Sequence, residues 1–219
     1  FHTDACQAAP YLPLSVEKLH VDLLTINAAK IYGPKGVGAL YVKRGTKLRP
    51  IVFGGSQEKM LRAGTENVAA IVGFARAIEI AVARRDEDTS RLFALSERLA
   101  DSIVTTIPRT RRNGDAVNRL PGHVNISFMD VEGEALLLYL DAVGIFASTG
   151  SACTSASLDP SHVILALGVP YEVAHGSLRF SLGRDTTDED IDRVLEALPP
   201  LVEKLRAISP VHVDVKYFS

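Results

Sequence analysis

Cysteine is scarce in this chain, and its scarcity narrows the roles that thiols can have. Among 219 residues there are two cysteines, Cys6 and Cys153, and neither has the Cys/His spacing of a zinc site. The six histidines do not cluster in sequence either, so no metal centre is predicted. A structural disulfide is disfavoured, and a reducing, cytoplasmic setting fits better.

A strong charge imbalance and long apolar runs are also lacking. The formal net charge is −2 and no long basic run occurs, which argues against direct binding of nucleic acid. The apolar run at 135–140 is far too short to span a bilayer, so no membrane association is predicted. The apolar fraction of 47% is still ordinary for a globular protein and can fill a sizeable core.

Strand-like and helix-like patterns alternate along the chain, which predicts an α/β fold. The short apolar runs at 21–26 and 36–42 are typical of buried strands in a parallel sheet. From 66 to 85 apolar residues recur at helical spacing, and Thr65 is well placed to cap that helix.

A polar, charged stretch at 84–88 predicts a domain boundary between residues 1–85 and 86–219. The second part continues with both kinds of pattern, and Pro199-Pro200 is expected to break or kink its last helix. Its predicted elements are a helix carrying Leu92 to Ile103, strands at 123–128 and 177–182, a helix at 134–140, and a long helix capped by Thr187 and Asp190.

Lys30 lies just after a short apolar segment and just before the glycine-rich turn at 33–38. An ammonium charge is disfavoured in an apolar wall, so a buried lysine there can be neutral and nucleophilic near neutral pH, as a Schiff base requires. Taken alone, the segment favours a surface lysine beside a turn. Its glycines lack the spacing and the Lys-Ser/Thr ending of a nucleotide-binding loop.

Two further segments shift the interpretation of Lys30 from a surface lysine to one that forms a Schiff base. The segment 1–7 places the carboxylate of Asp4 near the end of a short apolar stretch, and an enzyme that uses pyridoxal phosphate (PLP) needs an acid opposite the pyridine nitrogen. Cys153 lies in a loop of small, hydroxyl-bearing residues at 148–155, where a thiol can reach a partner.

Together these segments resemble the cysteine desulfurases of the NifS/IscS type, which are class V aminotransferase-like, fold-type I PLP-dependent transferases. The resemblance runs along essentially the whole chain, and four further motifs match it in order and spacing. They are Gly-Gly-Ser-Gln-Glu at 54–58, Arg-Ala-Gly-Thr-Glu-Asn at 62–67, Asn-Ile-Ser-Phe at 125–128 and Ser-Leu-Arg-Phe-Ser-Leu-Gly-Arg at 177–184. The resemblance implies that residues 1–85 complete the mostly parallel sheet of a large PLP-binding domain and that 86–219 form a smaller α+β domain. Since there is no initiator methionine and Phe1 falls within what resembles the end of a strand, we expect the C-terminal part of a longer enzyme.

The resemblance also implies roles for individual residues. Lys30 would carry the cofactor as a Schiff base and move protons on the substrate carbon, with Asp4 at the pyridinium proton and Gln7 at the phenolic oxygen. Arg179 would bind the substrate carboxylate, because a planar two-pronged donor suits that group. Cys153 would take sulfur from L-cysteine as a persulfide, with release of L-alanine, for iron–sulfur cluster assembly and tRNA thiolation.

Phosphate binding is where the sequence departs from the family pattern. Asn27 and Ala29 stand where a serine and a histidine are usual, so Asn27 can still donate a hydrogen bond and Ala29 offers only its backbone N–H. Thr65 matches a threonine that reaches the cofactor phosphate of the other subunit, which implies a homodimer.

Two alternatives stay open. Within the same chemistry, the protein could be a selenocysteine lyase or a sulfinate-acting relative, although the loop at 148–155 favours delivery of sulfur to an iron–sulfur scaffold or another acceptor protein. In a different class, the chain could be a non-catalytic fragment that dimerises or binds an acceptor without holding the cofactor.

Overall fold

The computed structural model describes residues 1–149, 159–210 and 212. The chain divides into two compact units, Phe1–Asp88 and Thr89–Ser219. Both contain strands and helices, so the predicted α/β class is confirmed. Cys153 and most of the predicted loop at 148–155 lie outside the described residues.

The first unit contains a mixed sheet in the order β1 (His2–Asp4), β2 (Leu23–Asn27) and β3 (Gly38–Val42). β1 and β2 are parallel, with the short helix α1 (Val16–Leu19) in their connection, whereas β2 and β3 are antiparallel. The predicted strand at 36–42 is thus present, but the expectation that it is buried and parallel is wrong, because its residues are mostly exposed. The connection at 28–37 is shorter than the dozen or so residues that a parallel crossover needs.

A single helix, α2 (Val68–Thr106), replaces the two helices predicted on either side of the charged stretch. That stretch lies inside the helix, where Arg84 and the buried Asp88 form an ion pair at 3.1 Å one turn apart. The helix begins after Asn67, whose Oδ1 accepts an N–H of the first turn at 3.2 Å, so the prediction that Thr65 caps it is wrong.

The second unit contains an antiparallel sheet in the order β4 (Thr110–Arg112), β5 (His123–Phe128) and β6 (Ser177–Ser181). The strands predicted at 123–128 and 177–182 are therefore confirmed. One face of this sheet packs into the unit's apolar core, whose members on β5 and β6 are Val124, Ile126, Phe128, Leu178 and Phe180. Besides the C-terminal part of α2, the helices of this unit are α3 (Gly133–Asp141), α4 (His162–Ala166), α5 (Tyr171–Ala174) and α6 (Asp188–Ile208).

Thr187 and Asp190 form the predicted capping box at the start of α6. The pair Pro199-Pro200 does not break this helix, which continues to Ile208, so the break allowed by the sequence does not occur. Apolar side chains on both sides of the prolines are buried in the core, and their burial offsets the backbone hydrogen bonds that proline cannot make. These side chains are Leu198, Val202 and Leu205.

Candidate active site

The carboxyl ends of β1 and β2 form the edge at which the first unit gathers its candidate residues. Because the two strands are parallel, Asp4 at the end of β1 and Asn27 at the end of β2 lie at the same edge of the sheet. Lys30 follows in the single helical turn after β2. Open α/β sheets bind ligands at carboxyl ends of this kind, so the structure brings these three predicted residues to one place.

Asp4 is held as a carboxylate by its neighbour Cys6. The Cys6 backbone N–H donates to Asp4 Oδ1 at 3.0 Å. Hydrogen bonds from the Cys6 thiol and backbone keep the pKa of the Asp4 carboxyl below its usual value. A carboxylate that stays ionised suits the protonated ring nitrogen of PLP.

Sequence reasoning missed this role of Cys6 and considered only whether its thiol could form a disulfide or a metal site. Burial and the Asp4 carboxylate raise the pKa of Cys6 to about 11, and the charge of Lys30 acts in the opposite direction. The Cys6 thiol is therefore protonated at neutral pH, where it is a hydrogen-bond donor and a poor nucleophile. The available signal was its position two residues after an aspartate, since Asp side chains commonly accept the N–H two residues on.

Lys30 is exposed, which corrects the expectation of a buried lysine in an apolar wall. In the turn Ala28–Ile31 the two end residues are 0% and 2% exposed and fix the buried side of the turn. Residues three apart lie on the same side of so tight a helix, so Lys30 between them is directed outward. Its amine is accessible to a ligand.

Asn27 fixes the turn that carries Lys30. Its Oδ1 accepts the Ala29 N–H at 2.8 Å, so the backbone donor that the sequence offered to a phosphate is already in use. Within the described part of the chain the Asn27 Nδ2 group has no hydrogen-bond partner and stays available to an anion. Gly38 allows β3 to begin directly against Asn27, because a Cβ there would lie 2.8 Å from the Ile26 carbonyl oxygen.

Gln7 and Thr65 are both exposed. Gln7 lies three residues beyond Asp4, in the turn that follows β1, and chain connectivity keeps it near the carboxyl edge. Thr65 lies in the segment before α2, and no hydrogen bond among the described residues joins it to that edge. The structure thus brings Gln7 to the candidate site and does not bring Thr65 there.

Arg179 lies at the middle of β6 in the second unit, on the polar face of the sheet. Its neighbours Leu178 and Phe180 are buried in the core, as the predicted alternation requires. The Arg179 backbone pairs with Ser148, but its Nε is buried and has no hydrogen-bond partner among the described residues. An unpaired buried donor on a cation is costly, so this side chain is suited to an anionic ligand.

The described residues offer neither a metal site nor a membrane-spanning helix. Within 1–149, 159–210 and 212, no three His, Cys, Asp or Glu side chains are grouped so as to hold a metal ion. Over the same ranges, no helix is both long and apolar enough to cross a bilayer.

The family model for Aminotransferase class-V matches residues 1–194, which is most of the chain. The chain therefore belongs to the class V aminotransferase family. Class V aminotransferases and the cysteine desulfurases related to this chain are PLP enzymes, so the cofactor class expected from the sequence is confirmed for the family.

Within that family, curated relatives of the chain are cysteine desulfurases. The chain is 53% identical to cysteine desulfurase IscS of Methanosarcina thermophila over 211 residues, which cover 96% of this chain and 52% of the relative. It is 52% identical to cysteine desulfurase IscS of Dictyoglomus turgidum over 216 residues, covering 99% of this chain and 55% of that protein. The chain thus spans about half the length of the curated relatives it matches.

Solved structures agree with this placement. A NifS-like protein superposes on this chain with a TM-score of 0.81 at 35% identity. The aligned part covers 94% of this chain and 52% of the NifS-like protein. The NifS-like protein from Rickettsia africae superposes with a TM-score of 0.83 at 31% identity. The aligned part covers 93% of this chain and 53% of the Rickettsia protein. The resemblance to the NifS/IscS type and the fold-type I architecture are therefore confirmed.

The residues at the carboxyl edge fit PLP, which presents an aldehyde, a ring nitrogen and a phosphate. Lys30 supplies an accessible amine and Asp4 a carboxylate that stays ionised. Asn27 supplies an amide donor that has no other partner in the described part of the chain. These three groups match the chemistry of the three parts of the cofactor.

Proposed function

We propose that this chain is part of a PLP-dependent cysteine desulfurase, which converts L-cysteine to L-alanine and receives the sulfur as a persulfide on Cys153. The observation that carries the proposal is the carboxyl edge at which Asp4, Asn27 and Lys30 occur together. An identity of 53% to a cysteine desulfurase over 96% of this chain supports it.

Cofactor binding is assigned to the exposed polar groups of the first unit. When bound, PLP supplies an electron sink that weakens the bonds at the α-carbon of an amino acid. Lys30 would bind it covalently, Asp4 would face the ring nitrogen, and Gln7 the phenolic oxygen. The proposed phosphate ligands are Asn27 and Thr65, with Thr65 acting on the phosphate of the other subunit, and Ala29 would add its backbone N–H only if that group left Asn27 Oδ1.

Two residues of the first unit control protons. The Lys30 amine takes a proton from the substrate α-carbon and returns protons to the substrate. The Asp4 carboxylate keeps a proton on the ring nitrogen, because hydrogen bonds from Cys6 stabilise its ionised form. The two roles need opposite properties, an amine that exchanges protons and a carboxylate that stays charged.

Two residues of the second unit handle the substrate itself. Arg179 binds the carboxylate, which accepts hydrogen bonds from the guanidinium. The Cys153 thiolate attacks the sulfur of the substrate, so that a sulfur–sulfur bond forms and the substrate carbon–sulfur bond breaks. The electron pair of the broken bond stays with the substrate carbon, which is protonated to give alanine.

The remaining assignments concern the whole protein. Residues 1–85 belong to the large PLP-binding domain and residues 86–219 to the small domain with the cysteine loop. The protein works as a homodimer in the cytoplasm and delivers sulfur to an iron–sulfur scaffold or another acceptor protein. The iron–sulfur pathway and tRNA thiolation are the proposed uses of that sulfur.

Reductive trapping tests the cofactor site. The chain is incubated with PLP, reduced with borohydride and examined by intact mass and peptide mapping. One pyridoxyl group on Lys30 is expected, because its amine is accessible and lies at the carboxyl edge. Lys30→Arg should abolish the adduct, whereas Lys35→Arg, at an exposed lysine of the next turn, should retain it.

Adducts scattered over several lysines, or none at all, would contradict the proposed cofactor site. Turnover is the second readout: L-cysteine should yield alanine, and Cys153→Ser should stop it. An adduct on Lys30 without alanine release would place the chain among the non-catalytic fragments.

A further inference from the structure

The polar face of the second unit's sheet carries a row of side chains that ends at Arg179. β5 and β6 pair so that Asn125 lies directly opposite Arg179. Just beyond β4, the Asn113 backbone N–H donates to the Asn125 carbonyl oxygen at 2.9 Å. Side chains directly opposite each other on antiparallel strands have Cβ atoms about 5 Å apart, so we call Asn113, Asn125 and Arg179 the polar row.

Within the polar row, Asn113 occupies the amide oxygen of Asn125, while the Oδ1 of Asn113 is buried and has no partner among the described residues. Asn113 Nδ2 donates to Asn125 Oδ1 at 2.6 Å and to Ser127 Oγ at 2.8 Å. Asn125 is therefore left with its Nδ2 donor, which has no partner among the described residues. The neighbouring Arg179 Nε is buried and also unpaired.

Two adjacent donors cannot satisfy each other, and one of them belongs to a cation. They share a need for an acceptor, and an anion meets it best. Among the described residues, the rest of this face adds no negative charge. Arg111, opposite Ser127, is a further cation, and loss of solvation and the charge of Arg179 lower the pKa of His123, which favours its neutral ring. Ser127 and Ser177, which pair across the same two strands, are neutral as well.

We propose that Asn125 is a second ligand of the substrate carboxylate, which it shares with Arg179, and that Asn113 is the positioning residue that holds Asn125. The inference rests on the proposed function for its ligand, the carboxylate of an α-amino acid. Arg179 supplies the charge, and Asn125 supplies a neutral donor with a fixed direction. Because Asn113 occupies the amide oxygen of Asn125, the nitrogen and not the oxygen is presented to the ligand.

The test measures carboxylate binding apart from turnover. Acetate is titrated into the chain without cofactor, and the side-chain N–H signals of Asn125 and Arg179 are followed by NMR. Both signals are expected to shift together with one dissociation constant. Asn125→Ala should weaken binding about tenfold, as for loss of one hydrogen bond to a charged group. Asn125→Asp should abolish it, because the new carboxylate pairs with Arg179 itself.

Ser181→Ala is the matched control, since Ser181 lies on the same strand and face as Arg179 but outside the polar row. It should bind acetate as the unchanged chain does. The inference is overturned if Asn125→Ala and Asn125→Asp both bind acetate normally, or if acetate moves the Arg179 signal alone. Asn125→Asp keeps the acceptor that Asn113 needs, so it tests the row even where Asn125→Ala fails to fold.

Kinetics of the PLP-loaded protein separate this inference from the proposed function. Asn125→Ala should raise KM for L-cysteine about tenfold with little change in kcat, because the carboxylate is bound equally before and during reaction. Asn113→Ala should raise KM by a smaller factor, since Asn125 is present but no longer held. If no cofactor adduct forms, the proposed function fails while the acetate titration still decides on the polar row.

Discussion

Replacing Glu97 by glutamine should destabilise the second unit by about 2–3 kcal/mol at neutral pH. Glu97 Oε1 accepts hydrogen bonds from both Arg112 and Arg119. The two arginine side chains are only 17% and 10% exposed. The substitution therefore leaves the mostly buried Arg119 without a carboxylate partner among the described residues, and leaves Arg112 with only the exposed Asp101 at 3.8 Å. Arg119 also donates to the His123 carbonyl oxygen at 3.0 Å, so this ion network anchors the start of β5.

The magnitude follows from burial. Removing one partner of a buried ion pair costs about 3–5 kcal/mol, whereas an exposed pair is worth about 0.2–1 kcal/mol. The Glu97 side chain is 30% exposed, and glutamine keeps one oxygen that still accepts hydrogen bonds. Both facts place the expected loss just below the range for buried pairs.

The effect should depend on pH in a defined direction. Hydrogen bonds from Arg112 and then Arg119 hold the pKa of the Glu97 carboxyl below its usual 4.5, although burial opposes them. A carboxyl whose pKa is lowered by folding stabilises the fold above its unfolded pKa, and this contribution is lost as pH falls through the folded pKa. The difference between the two proteins should thus be full at pH 7 and shrink below about pH 4.5.

Urea unfolding of both proteins at pH 7 and at about pH 3.5 measures the difference. Glu79→Gln is the matched control, because Glu79 pairs with Arg76 on the surface of α2 and both side chains are at least 65% exposed. It should cost less than about 0.5 kcal/mol. A loss this small for Glu97→Gln, or a loss that is the same at both pH values, would refute the reasoning.

Two further outcomes concern a thiol and a helix cap. Cys6 should react slowly with iodoacetamide at neutral pH and faster as the pH approaches about 11, as read by peptide mapping; rapid labelling at neutral pH would contradict its hydrogen-bonded, protonated state. Asn67→Ala should lower the free energy of unfolding in urea by about 1 kcal/mol, because Asn67 caps α2. Thr65→Ala, in the same segment but outside the cap, should cost almost nothing, and equal losses would place the cap elsewhere.

Strands β5 and β6 could be predicted because each directs one face of apolar side chains into the core. Val124, Ile126 and Phe128 belong to that core while Asn125 and Ser127 do not, so the period of two in the sequence is the period of apolar packing, although Ser127 is buried as well. The capping box of α6 was predictable for a similar reason, since both of its partners lie within one turn of the chain.

Features that depend on more distant packing could not be predicted in the same way. A run of charges is compatible with the end of a helix or with its interior, and only the structure shows that α2 runs through 84–88, where Arg84 pairs with Asp88. The direction of β3 depends on the short connection before it, not on its own apolar pattern. The outward direction of Lys30 follows from the burial of Ala28 and Ile31 on either side of it.

The exposed strand β3 has a consequence for handling this protein in solution. It is the last strand in its sheet, and among the described residues no strand pairs with its outer side. Leu40 and Tyr41 are 51% and 37% exposed, so an unpaired row of backbone donors and acceptors is combined with apolar surface. Such a row is a template for aggregation, which the cations of Lys43 and Arg44 directly after it oppose. We therefore expect salt to promote strand-to-strand association mainly by screening Arg44, since Lys43 already lies 3.6 Å from the Asp22 carboxylate.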